Sequence, residues 1–206
     1  VRLIHASIRY YLKHKSESPF DIEKFGEPIN QEDLAGTLMS FGPVILSGLK
    51  NLNVNLSEQQ QNDYMHCWKV VGHLMGIEEK LLPDTYDQGF RLATKILRHQ
   101  SEKSEAGIAL TDACVQFMNY LIPGNSLDDV PAYFINYFLQ DFSKSTGKDL
   151  SSCIGISNAS DKKERILLGL TKLIIGKLSN LEEHKFIRKV SSYFNRKLLE
   201  GIIHHF

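Results

Sequence analysis

The sequence predicts an all-α protein, a single domain of about eight helices with a distantly globin-like character. Apolar residues recur at helical spacing along most of the chain, and two capping sequences, Asn30 with Asp33 and Ser57 with Gln60, stand where such patterns begin. Strand signals are nearly absent, because no run of alternating β-branched residues is bounded by hairpin dipeptides.

The first helix starts at Val1 and fades near His14, with Leu3, Ile4, Ile8 and Leu12 as an apolar stripe expected to border a packed interior and not open water. Residues 13–26 read as a polar loop broken by Ser16, Ser18, Pro19 and Gly26. Asn30 then caps a second helix, and Glu32 and Asp33 place negative charge in its first turn, where the helix dipole favours it. The uncharged stretch from Leu34 to Leu49 reads as one buried helix kinked by Pro43, and Gly36, Gly42 and Gly48 allow close approach to a neighbouring helix or a flat ring.

Ser57 opens the next helix and Gly76 closes it, with Met65, Trp68, Val71 or Gly72, and Met75 inward. Another amphipathic helix is expected from Asp84 to Gln100, turning Tyr86, Phe90, Ala93, Ile96 and Leu97 inward. Further helices follow at Ile108 to Ile122, stopped by Pro123-Gly124, and at Ser126 to Ser143, whose Tyr133, Phe134, Tyr137, Phe138 and Phe142 form a core or line an apolar tunnel. Thr146 to Ser160 reads as an irregular loop or lid, and two closing helices span Asp161 to Leu178 and Leu181 to His204. The last carries a basic stripe of Lys185, Arg188, Lys189, Arg196 and Lys197, read as a solvated face, before His204-His205 at the terminus.

Composition narrows the function. The chain has 206 residues, with Lys+Arg and Asp+Glu equal at 24 each, so no global field recruits nucleic acid or an anionic membrane. The basic residues of the Asp84 to Gln100 helix are not interleaved with exposed aromatics, which also disfavours a nucleic-acid platform. Cys67, Cys114 and Cys153 are widely spaced, without a C-x-x-C pair, and a reducing, cytoplasmic setting is expected. No stretch reaches the roughly 18 apolar residues of a membrane span. Glycine-rich phosphate loops and Gly-x-Ser-x-Gly elbows are missing, so nucleotide binding and serine hydrolysis lose support. The chain begins with Val1 directly inside a helical pattern, which points to a portion of a longer, N-terminally extended protein.

One constellation carries chemistry. Arg2, His5 and Arg9 fall at i, i+3 and i+7, so at roughly 100° per residue they share a helix face beside the apolar stripe. An imidazole between two guanidiniums at the edge of an apolar region suits a histidine that ligates a metal and arginines that meet an anionic cofactor such as the propionates of haem. It equally suits an ordinary packed histidine. His66 and His73, seven apart, stand about 10.5 Å apart along their helix axis and cannot share a metal ion.

The run Arg2-Leu3-Ile4-His5-Ala6-Ser7-Ile8-Arg9, then Pro28-Ile29-Asn30-Gln31-Glu32-Asp33-Leu34, then the segment from Tyr64 to Ile77 with its Trp68-Lys69-Val70-Val71-Gly72 core, resembles the latex clearing protein (rubber oxygenase) catalytic-domain family. The resemblance covers residues 1–77 and leaves 78–206 as a helical continuation. It implies haem b with His5 as the iron ligand, and Arg2 and Arg9 as neighbours that fix the haem and orient the ligand helix. It further implies His66 as a pocket residue and Asp33 as a support to the cofactor helix. His73 stands where relatives have tyrosine, and Trp68 matches the motif although a lone Trp on an apolar face is ordinarily core.

The implied reaction is O₂-dependent cleavage of a C=C bond in an isoprenoid or other apolar substrate, small or polymeric. The distal catalytic residues are then expected upstream of Val1. The competing readings are a non-catalytic helical haem binder or protein-interaction domain, and a di-iron bundle that lacks its Glu-x-x-His pairs.

Overall fold

The computed structural model describes residues 1–17, 20–121 and 130–156, together with 165, 166, 168, 169, 171 and 172. Among them the structure is α-helical, with one 3-10 turn and no strand. The chain groups into two compact units, Val1–Ser47 with Leu56–Gln100, and Gly48–Asn55 with Ser101–Phe206.

The first unit contains α1 (Arg2–His14), α2 (Ile22–Phe25), α3 (Gln31–Phe41), the start of α4 (Pro43–Asn51), α5 (Glu58–Met75), the 3-10 turn Glu79–Leu81, and α6 (Tyr86–Gln100). α3 packs against α5 and α6. Their buried side chains, Ala35, Leu38, Met39, Met65, Ala93 and Ile96, make the core with Leu46, Ile77 and Leu82. Both capping boxes form: Asn30 accepts from the Glu32 and Asp33 amides while Asp33 accepts from the Asn30 amide, and Ser57 and Gln60 do the same for α5. Gly76 ends α5 at φ 84°, a left-handed C-cap that costs glycine nothing.

Of Val71 and Gly72, it is Gly72 that faces the core. A Cβ there would stand 2.5 Å from Leu82 Cδ2 and 2.6 Å from Leu38 Cδ2, so the backbone of α5 lies directly on its neighbours. Among the three glycines expected to permit close approach, Gly36 does so, its would-be Cβ 3.2 Å from Ile96, whereas Gly42 and Gly48 meet only ordinary contacts.

Three expectations need correcting. Leu34 to Leu49 is two helices: α3 stops at Phe41, Gly42 caps it, and Pro43 opens α4. Proline lacks the amide needed inside a helix but suits the first helical position, so it begins a helix here and does not kink one. The polar loop after α1 holds the single turn α2, capped by Asp21, whose side chain accepts from the Lys24 amide. The stretch from Thr146 to Ser160 is not wholly irregular, because α9 (Leu150–Cys153) forms within it.

The second unit contains α7 (Glu105–Leu121), α8 (Val130–Thr146) and α9. α9 packs on α8, with Phe142, Leu150 and Ile156 buried, and Ser151 Oγ donates to Asn136 Oδ1 at 2.7 Å. Tyr137 Oη donates to the Asn51 carbonyl at 2.8 Å and Asn51 Nδ2 donates to Asp141 at 3.0 Å, which ties the Gly48–Asn55 segment to α8. The aromatic cluster of α8 is mostly half-buried ring-on-ring packing, with only Phe142 fully enclosed. Apart from a few helical positions between 165 and 172, the two closing helices, the basic stripe and His204-His205 lie outside the described residues. No described helix is long and apolar enough to cross a membrane.

Candidate functional site

Helix α1 carries Arg2, His5 and Arg9 and buries none of its residues, so the stripe expected to border a packed interior does not: Leu3, Ile4 and Ile8 are exposed and Leu12 is half-buried. Val1, Ile4, Ile8 and Tyr11 are all exposed, and at helical spacing they form one apolar strip. His5 and Leu12, both half-buried, mark the border between that strip and the face turned to the protein. The His5 imidazole has no hydrogen-bond or ion-pair partner among the described residues.

What holds α1 is polar. Arg9 donates from Nε to the Pro28 carbonyl at 2.9 Å and from Nη2 to the Ile29 carbonyl at 2.6 Å. Lys13 pairs with Glu27 at 2.8 Å. The Arg2 guanidinium lies beside the α5 C-cap, its nearest nitrogen 3.9 Å from the place of a Cβ on Gly76, where the negative end of a helix dipole favours a cation. The Arg2 side chain makes no hydrogen bond among the described residues. Two of Arg9's donors are therefore committed to the backbone, and Arg2 is the freer of the two cations.

α5 repeats the pattern. Opposite its buried Met65 and Gly72 run exposed Cys67, Val70, Val71 and Leu74, with exposed His66 and His73 along one edge. No described contact joins His66 to His5, and roughly 15 Å of helix axis separates His66 from the Gly76 end where Arg2 sits.

The remaining motif residues make contacts within the α3, α5 and α6 core. Asp33 accepts from the Asn30 amide through Oδ2 and from Gln100 Nε2 through Oδ1, while Glu32 meets His99 at 2.8 Å. Both Asp33 oxygens are thus occupied in capping α3 and holding it to α6. Trp68 stacks on Phe41 with centroids 5.1 Å apart, and Tyr64 Oη donates to the Phe41 carbonyl at 2.8 Å. Lys69 bridges Asp84 and Glu79 across the α5 to α6 connection, and its hydrogen bond to Asp84, reinforced by Glu79, raises its pKa above the ordinary lysine value.

Sequence reasoning missed the acceptors of Arg9 and the backbone of Ile29, which has φ 56°. Neither has a side-chain signature, although a fixed Pro-x-Asn entry to a capped helix marks the place.

Among the described residues no group of three or more His, Cys, Asp or Glu could hold a metal ion. A haem iron requires only one proximal side chain from the protein, so a lone unpartnered imidazole at the edge of an uncovered apolar strip has the right donor chemistry. Residues His5 and Arg2 fit such a group; Arg9 fits as the residue that fixes the helix.

Comparison with known proteins agrees in fold and family. The chain is 28% identical over 130 residues to a rubber oxygenase of Streptomyces sp. (strain K30), an alignment covering 60% of this chain and 30% of that one. A solved structure of latex clearing protein LCP in the closed state superposes with a TM-score of 0.65 at 18% identity, covering 98% of this chain and 52% of the other, which shows a shared fold. The chain therefore spans about half or less of the relatives it matches. The family model described as ER-bound oxygenase mpaB/B'/Rubber oxygenase, catalytic domain, matches residues 1–143, well past the motifs that end at Ile77, and the chain belongs to that family.

Proposed function

We propose that this chain is part of a haem-b-dependent oxygenase that cleaves C=C bonds in an apolar isoprenoid substrate, with His5 as the protein ligand to iron. The observation that carries the reading is the unpartnered His5 imidazole on the border of the exposed strip formed by Val1, Ile4, Ile8 and Tyr11. Membership in the rubber oxygenase family and likeness to a protein named rubber oxygenase support the reaction class.

When bound, haem supplies the O₂ chemistry that no side chain provides. The protein's residues do the rest. His5 presents a ring nitrogen along one edge of α1, and the exposed apolar strip beside it would offer a planar, largely apolar cofactor a matching surface. Arg2 has free donors for a propionate. Arg9 holds the helix, and His66 is a further pocket residue whose exposed imidazole borders the second apolar strip, on α5.

The test is haem uptake followed by turnover. Protein reconstituted with haem b is incubated aerobically with a polyisoprenoid, and carbonyl-ended fragments are sought by mass spectrometry, with an anaerobic control. Fragments formed only with haem and O₂ support the proposal. Stoichiometric haem with no fragments from the chain and from the same chain extended upstream favours a non-catalytic haem binder.

A further inference from the structure

We propose that the cleft between α8 and α9 binds a small zwitterion, a free α-amino acid, with its carboxylate on the α8 wall and its ammonium at Asp149. The cleft has a volume of about 340 Å³, at the small end of the range for small-molecule sites, and is lined by Asn136, Gln140, Ser143, Lys144, Asp149 and Ser151. It lies wholly within the second unit and shares no residue with the His5 region.

The sequence sets this wall apart from the rest of α8. Tyr133, Phe134, Tyr137, Phe138 and Phe142 make the helix largely aromatic, while Asn136, Gln140, Ser143 and Lys144 recur at i, i+4, i+7 and i+8 and so share one polar face. At about 1.5 Å per residue, Asn136, Gln140 and Lys144 stand in steps of roughly 6 Å along the axis. From α9 come the buried Ser151 and the N-cap residue Asp149.

The floor of the cleft is built from buried polar groups that do not satisfy one another. Asn136 is 6% exposed and Ser151 2%. Ser151 Oγ donates to Asn136 Oδ1 at 2.7 Å, which leaves both protons of Asn136 Nδ2 without an acceptor among the described residues. That nitrogen is not sealed in the interior, so its protons are offered to the cleft. A buried side-chain amide is ordinarily paired, and one left open costs more than an apolar residue at the same place. Ser143 Oγ accepts the Leu150 amide at 3.3 Å and keeps its own proton to give. The side chains of Gln140 and Lys144 make no hydrogen bond or ion pair among the described residues. Donors therefore dominate the α8 wall, and a ligand that meets them must bring oxygens; a carboxylate does so with a charge that Lys144 answers.

The opposite charges fix the other end. Lys144 and Asp149 line the same cleft yet do not pair with each other. Asp149 is held in place by the Ser152 amide at 3.2 Å and Ser152 Oγ at 2.7 Å, and carboxylate oxygens accept more than one hydrogen bond each, so an ammonium can join them. A ligand carrying both signs spans the two residues. Phosphate meets Lys144 but is repelled by Asp149, and a bare cation leaves the α8 donors unanswered. Gln140, Lys144 and Asp149 are exposed, so the cleft reads the ammonium and carboxylate common to all amino acids and leaves the ligand's own side chain in water.

The experiment titrates L-alanine into the full chain, isotope-labelled and followed by nuclear magnetic resonance. Lactate, which lacks the ammonium, alaninamide, which lacks the carboxylate, and inorganic phosphate are run beside it. Saturable shifts of the Asn136 and Gln140 side-chain amides with L-alanine are expected, with affinity at least tenfold lower for the other three probes. Lys144→Gln changes an exposed position and is expected to weaken L-alanine at least tenfold with the rest of the spectrum intact. Asp149→Asn, which keeps a capping side chain on α9, is expected to bind L-alanine no better than lactate. Absence of saturable shifts with L-alanine in the wild type overturns the site. Lactate or phosphate binding as tightly as L-alanine, or unchanged L-alanine affinity in Lys144→Gln, overturns the zwitterion.

Discussion

Two regions of the first unit are built on opposite principles. The α3, α5 and α6 core is closed: each helix buries its inward stripe, α3 and α5 start with complete capping boxes, and α5 comes so close to its neighbours that Gly72 has no room for a methyl group. α1 is open, with no buried residue, an apolar strip facing outward and an attachment made mainly by cations on carbonyls and a carboxylate. Apolar surface is costly to leave in water, at roughly 25 cal/mol per Å². A helix that keeps such a strip uncovered beside a free imidazole is arranged to meet something, while the core beneath it is arranged to stay fixed.

The sharpest way to break this contrast is at Gly72. Gly72→Val puts branched carbons into space held by Leu38 and Leu82, and overpacking of this kind should lower stability by about 3 kcal/mol. Urea denaturation measures it; a loss under about 0.5 kcal/mol would mean that the core yields easily and the contrast is overstated.

Next comes the cap of α3. Asn30→Ala removes the acceptor for two first-turn amides and should cost about 1 kcal/mol, and because the same residue follows Ile29, an acceptor of Arg9, it should also speed hydrogen exchange of α1. A stability loss with α1 protection intact would show that the α3 cap and the attachment of α1 are independent.

The smallest effect belongs to Lys69, whose partners Asp84 and Glu79 are exposed enough that water screens most of the attraction. Its folded pKa is raised by Asp84 and then Glu79, so the stability it confers is complete below the unfolded lysine pKa and disappears as pH rises through the higher folded value. The stability gap between wild type and Lys69→Met should therefore be constant near neutrality and close only in strongly alkaline solution. A gap that closes on acidification from neutrality to pH 6 would have the wrong sign.

How much of this was legible depended on range. Both caps, the C-terminal glycine at Gly76 and the inward stripe of α6 could be read because each is decided within a turn or two of chain. Spacing locates the break at Gly42-Pro43 but does not say whether a proline sits inside a helix as a kink or opens one. Spacing does not choose between Val71 and Gly72, because the atoms that crowd Gly72, on Leu38 and Leu82, come from other elements. The partners of Arg9 were invisible for a different reason: they are main-chain oxygens, and an arginine two residues from an apolar stripe reads the same whether it faces a propionate or a carbonyl.

The central claim, that α1 is the cofactor helix and His5 its ligand, is tested most directly by titrating haem b into wild type, His5→Ala and His66→Ala and recording the ferrous–CO visible spectrum, with far-ultraviolet circular dichroism as a control for folding. Loss of the intense haem band in His5→Ala at unchanged helix content, alongside a retained but shifted band in His66→Ala, is the predicted result. Stoichiometric haem with an unaltered ferrous–CO spectrum in His5→Ala contradicts it.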